Sequence, residues 1–282
     1  MNNIVYLSIC ADDFGITENV SSAIIKLIKK KRITETSCIV ISNSFKNDSE
    51  TLINYQNKIG IGLHLTLTDF KAFNRLKSLT INDEMPNFNK LLKSSIIKEI
   101  APKEIEKEIN FQIDVFENSL GFLPNFIDGH QHVHQLPIVR DCLIKVIKER
   151  YSENLPWVRN SYDEIFKILK RNVSILKAIS IGLFGKKLKI TVKENHIKSN
   201  DGFSGIYSFS NKIPYENLFK KFILDIKNNH LLMVHPGHSD EKLSKIDPVT
   251  TSRDIEYEFL SSDNFLDLLN KNNIVLKSLF IK

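Results

Sequence analysis

The chain has 282 residues, of which 42% are hydrophobic and 26% charged, with a formal charge of +6. That is the composition of an ordinary soluble globular protein, long enough to bury a large core as one α/β barrel or two small domains. Its modest basic excess includes Lys29, Lys30, Lys31 and Arg32, which read as a solvated helix end, and no interleaving of cations with aromatics suggests a nucleic-acid platform. Cys10, Cys38 and Cys142 are too far apart for a disulfide framework or a cysteine zinc site. The opening MNNIVYLSICADDFG lacks the basic and long apolar regions of a signal peptide, and no apolar run approaches a membrane span. The expectation is a cytoplasmic protein without a membrane span.

In chain order, residues 4–10 form a short apolar run rich in β-formers, hence a buried strand. After ADDFG, Val20, Ile24, Leu27 and Ile28 fall on one face of a helix. Residues 37–42 read as the next strand. Residues 59–68 then alternate, with Ile61, Leu63, Leu65 and Leu67 on one side and Gly62, His64, Thr66 and Thr68 on the other. Pro102 suits the first position of a long helix and Gly121 its stop. Residues 126–128 lead into HQHVH, Pro137 opens another helix, and 157–159 and 231–234 are further short strands. Residues 186–210 are the least regular and read as an insertion or lid. Repeated βα units predict a parallel sheet, open or closed into a barrel, in one domain spanning 1–282.

Polar clusters stand at the C-terminal ends of these strands, where α/β folds bind ligands. They are Asp12 and Asp13; His64; Asp128 with His130, His132 and His134; and His235 with His238. Each has a plain structural alternative: a helix cap for Asp13, a hydrogen-bonded core histidine for His64, a Pro-Gly turn for HPGH. HQHVH, if extended, would turn three imidazoles to one side. Their joint placement favours a common pocket. One carboxylate and two imidazoles can hold a divalent ion with positions open for water and substrate. Such an ion acidifies water and polarises a carbonyl. A second carboxylate would then take the water's proton, and a separate histidine would protonate a departing amine.

ADDFG at 11–15, GLHLTL at 62–67, DGHQHVH at 128–134 and VHPGH at 234–238, together with DGF at 201–203 and TSRDIEYEFL at 251–260, resemble the YdjC-like family of ChbG- and HpnK-type carbohydrate deacetylases along nearly the whole chain. The resemblance implies a distorted (β/α) barrel of the polysaccharide deacetylase kind that removes N-acetyl groups from amino sugars or chitooligosaccharides. It implies a metal on Asp13, His64 and His130, with Asp12 as general base and His235 as general acid. Asp128, His132 and His134 become groups that orient the ligands or face substrate. Arg159 and Arg253 would orient a carboxylate or hold substrate oxygens. Zinc, magnesium, manganese and cobalt all suit such a set. A homodimer also fits the resemblance. ChbG-like sequences tend to read DSHHHVH, whereas this chain has Gly129 and Gln131, which leaves the metal positions intact but unsettles the transfer of chitooligosaccharide as substrate. The competing expectations are removal of an N-formyl group, an O-acetyl group or an acyl group on a lipid-linked amine, or sugar binding without catalysis.

Overall fold

The computed structural model describes residues 4–72, 76–80 and 82–280. Strand β1 (Val5–Phe14) has its last eight residues buried, so it needs neighbours along both edges and layers on both faces. The chain supplies them by alternation. α1 (Glu18–Lys29), β2 (Glu35–Cys38), α2 (Asn43–Ile53) and β3 (Gly60–Leu65) come first, then α3 (Phe88–Ile96), α4 (Pro102–Leu120) and β4 (Phe126–Gly129). A 3-10 turn (His130–Gln135), α5 (Val139–Arg150), β5 (Trp157–Val158), α6 (Ile165–Arg171), α7 (Ile175–Glu194) and β6 (Gly202–Ser204) follow. α8 (Tyr215–Phe222), β7 (His230–Val234), α9 (Glu241–Ser244), α10 (Thr251–Ser261), α11 (Asp263–Lys271) and β8 (Ile274–Leu276) complete the order.

The strands pair in parallel in the order β5-β4-β3-β2-β1-β7-β6, and β8 joins Val5–Leu7 of β1. β5 and β6 end the path without pairing as strands, yet the seam is bridged. Val158 N–H donates to Lys198 O at 3.0 Å, and Asn160 N–H donates to Asn200 Oδ1 at 2.9 Å. The result is an irregular, incompletely laddered barrel.

Three sequence expectations need correction. Residues 186–194 finish α7, and 202–204 are a strand of the sheet, so these parts of 186–210 belong to the barrel, while 205–210 carry no regular element. The second strand is Glu35–Cys38; Ile39–Ile41 are buried beyond its end, and Ser42 caps α2 by accepting from Phe45 N–H at 3.2 Å. HQHVH is a tight turn, because Gln131 and His132 take left-handed backbone angles (φ 51° and 60°), so its three imidazoles diverge.

Candidate active site

The site grows from the end of β1. Its pairing with β2 shifts register between Ala11 and Phe14, and Asp13 sits in the left-handed region at φ 69°. That irregularity frees two adjacent carboxylates from strict alternation, at a local backbone cost typical of functional positions. Asp13 does not cap α1; Thr17 does. Ser37 from β2, His64 from β3, Asp128 from β4, Arg159 just past β5 and His235 just past β7 stand around the same rim.

Asp13 Oδ1 lies 3.3 Å from His64 Nε2 and 3.2 Å from His130 Nδ1. Ligand-capable atoms of the three residues lie within 4.8 Å of one another. His64 Nδ1 is 2.6 Å from Asp128 Oδ1, a hydrogen bond that keeps the ring proton on Nδ1. Nε2 then turns a bare lone pair toward the Asp13 oxygen. Two electron-rich groups facing each other at that distance repel unless a cation or a proton lies between them. An Asp-His-His set braced by a further carboxylate therefore fits a divalent ion.

Two buried arginines divide the acids between them. Arg159 donates Nη1–H to Asp12 Oδ2 at 2.7 Å and Nη2–H to Asp12 Oδ1 at 2.6 Å, and Nη2 also reaches Asp128. Arg253 donates Nη2–H to Asp13 Oδ2 at 2.6 Å and to Asp247 Oδ2 at 2.8 Å. Burial alone would raise both Asp pKa values. Arg159, helped by His64 and His235, overrides it and holds Asp12 at about 2. Arg253 and the two histidines hold Asp13 well below the usual carboxylate range. Cys10, Asp12 and Asp128 also cluster, but the Arg159 guanidinium already occupies the middle, with Nη2 3.4 Å from Cys10 Sγ. Both arginines are fully buried, and each grips two carboxylates.

His235 Nε2 stands 4.0 Å from Asp12 Oδ2, and its ring meets Phe209 edge-on at 5.0 Å. Burial lowers its pKa to about 4, only partly offset by Asp13 and Asp12, so it is neutral near pH 7. Its backbone N–H donates to Glu256 Oε2 at 2.6 Å, and Tyr207 Oη–H donates to Glu256 Oε1 at 2.5 Å. On the opposite side Phe70 meets the His130 ring at 6.0 Å.

The other histidines stand further off. His134 is buried, with Nε2 2.8 Å from the Arg159 carbonyl, and it fills the space a side chain at Gly129 would need. His132 Nδ1 lies 3.0 Å from Ser161 Oγ. Among the described residues, no hydrogen bond or ion pair joins either ring to Asp13, His64 or His130. His238 turns away toward Tyr257, with its Nδ1 3.8 Å from Asp254. Gln131 is exposed and donates to Asp69 Oδ2 at 2.9 Å.

The profile of the family described as YdjC-like protein matches residues 6–271. The chain belongs to the YdjC-like family. Among YdjC-like relatives, a carbohydrate deacetylase of Clostridium beijerinckii is 27% identical over 271 residues, covering 94% of this chain and 95% of its own. A crystal structure from Enterococcus faecalis V583, of a protein assigned to cellobiose-phosphate cleavage, superposes with TM-score 0.76 at 20% identity and covers 98% of both chains. The Bc1960 peptidoglycan N-acetylglucosamine deacetylase superposes with TM-score 0.52 at 11% identity, covering 99% of this chain and 88% of its own. These structural likenesses show the fold: the YdjC-like chain is a distorted α/β barrel of the polysaccharide deacetylase kind.

Sequence reasoning passed over Ser37, Cys10, Tyr207 and Glu256. Ser37 Oγ lies 2.9 Å from His64 Nδ1 and 3.3 Å from Asp12 Oδ1, and the expected strand 37–42 hid it by placing it at the wrong end, whereas the strand is Glu35–Cys38. Glu256 lies in the TSRDIEYEFL segment, but only the fold brings α10 under His235.

Proposed function

We propose that residues 1–282 form one hydrolase domain that removes an acetyl group from the nitrogen of an amino sugar, a small-molecule carbohydrate of the chitooligosaccharide type. One observation carries the reading: an Asp-His-His set suited to a cation lies beside an ionised carboxylate, Asp12, whose Oδ2 is 4.0 Å from Nε2 of a neutral imidazole, His235. Asp13, His64 and His130 would hold the ion, and zinc, cobalt, manganese and magnesium all accept such donors. When bound, a divalent ion supplies Lewis acidity toward a carbonyl and acidifies water.

The protein groups supply proton traffic and position. Asp12 takes a proton from the attacking water; its low pKa keeps it anionic at neutral pH and limits its driving force as a base. The fork from Arg159 fixes both of its oxygens, so the same residue that weakens the base also aims it. Neutral His235 delivers a proton to the departing amine after gaining one, its main chain held by Glu256. Asp128 keeps His64 in the tautomer that turns Nε2 inward. Phe70 and Phe209 give the rim apolar faces against which a sugar ring can lie.

The roles separate by substitution. Asp13→Ala and His64→Ala are expected to lose metal content and turnover together. Asp12→Asn should keep its metal while turnover falls by roughly 10²–10⁴-fold, the usual range for removing an acid–base group. Metal content by atomic emission and acetate release on the same preparations check this. Full turnover in Asp12→Asn would overturn the base assignment.

A further inference from the structure

Helix α7 is apolar on two opposite sides. Its inner side, Ala178, Gly182, Gly185, Leu188 and Val192, is buried, and Gly185 lies so close to the Tyr162 backbone and Gln135 that a methyl group would not fit. On the outer side Leu176, Leu183 and Ile190 recur every seven residues and are 85%, 62% and 46% exposed. α6 adds exposed Ile165, Phe166 and Leu169. A helix apolar on two opposite sides is ordinarily covered on both, and six exposed large apolar side chains within residues 165–190 call for a cover.

Charge says what kind of cover. Residues 165–193 contain eight lysines and arginines and no acid. Lys167, Lys170 and Arg171 pair with Asp163, Glu164 and Asp225, while Lys177 and Lys189 donate to backbone carbonyls. Lys186 and Lys187 flank the apolar line, exposed, and Lys193 follows. Exposed Glu194 closes α7, but a second copy docked by two-fold symmetry would still bring Lys186, Lys187 and Lys193 against a largely cationic rim. A surface of hydrocarbon beneath fixed negative charge answers both features. We infer that the outer face of α7 docks on an anionic phospholipid bilayer, lying in its interface. None of the helices among the described residues is long and apolar enough to cross a membrane. Docking would set the site mouth near the lipid. Lys177, in the first turn of α7, donates to Tyr207 O and lies 4.9 Å from the Phe209 ring centre, and Phe209 packs on His235.

The inference is independent of the acetamide reading, and its test does not use turnover. The full chain is spun down with vesicles of phosphatidylcholine alone and of phosphatidylcholine with phosphatidylglycerol in equal parts. Pelleting is expected with the anionic vesicles only, weakening as salt is raised. Lys186→Glu/Lys187→Glu should bind about thirtyfold less tightly or worse, at about 1 kcal/mol per cation near such a surface. Leu176→Glu/Leu183→Glu should stay in the supernatant, with an unchanged melting temperature showing that it is folded. Wild-type protein that ignores anionic vesicles, or binds both kinds alike, overturns the inference. So does a wild-type dimer in sedimentation equilibrium that the Leu176→Glu/Leu183→Glu variant converts to monomer.

Discussion

Asp12 and Asp13 are adjacent and equally buried, yet each is gripped by a different arginine that arrives from a different part of the chain. That division was only half legible in the sequence. The spacing of ADDFG from a strand marked the pair, and the alternation of 59–68 marked His64, because both signals are local. Arg159 and Arg253 are 147 and 240 residues from their partners, and no local pattern could couple them. The same holds for Glu35, at the opposite end of the sheet from the catalytic rim. Burial pushes its pKa from 4.5 up to about 7, against hydrogen bonds from Leu279 N–H, Ser278 and Ser8. A raised folded-state pKa means that this group favours the folded state fully below about pH 4.5 and loses that contribution as pH rises through about 7. Glu35→Gln stays neutral throughout, so its stability should gain on the wild type between pH 5 and pH 8, by about 3 kcal/mol at most at about 1.4 kcal/mol per unit. Urea denaturation at the two pH values checks the sign; a difference that does not change with pH would contradict it.

At the scale of elements, helix punctuation was the most readable feature. Pro102 occupies the first turn of α4, and Gly121 ends it at φ 78° with its N–H on Glu117 O. A side chain at Gly121 would meet nothing within 4 Å, so Gly121→Ala isolates backbone strain from packing. It should cost about 1 kcal/mol in urea denaturation, the penalty for a left-handed L-residue. No loss would mean that the α4 end relaxes into another cap. The His-rich run was the least readable element. Its composition announces chemistry, but its two left-handed residues have no glycine to signal them, so an extended geometry and a turn look alike in sequence. The turn sends His130 to Asp13 and His134 to the carbonyl of Arg159, giving one imidazole to the centre and one to its support.

Across the whole molecule, parallel pairing brings the C-terminal ends of β1, β2, β3, β4, β5 and β7 to one rim, and every group assigned to the reaction lies there. The α/β class followed from the alternation of strand and helix patterns. The bridged seam between β5 and β6 did not, because 198–200 closes it through a side-chain amide and a single backbone bond that leave no periodic trace. Gln131, where the ChbG-like pattern has a histidine, lies in the turn after β4 and donates to Asp69 Oδ2. Acetate release from short N-acetylglucosamine oligomers, by metal-reconstituted protein beside a chelated control and beside N-formyl and O-acetyl substrates, tests the central claim most directly. The account predicts metal-dependent acetate from the N-acetyl substrate. No acetate from protein shown to hold its metal, or release only from the N-formyl or O-acetyl compound, would contradict it.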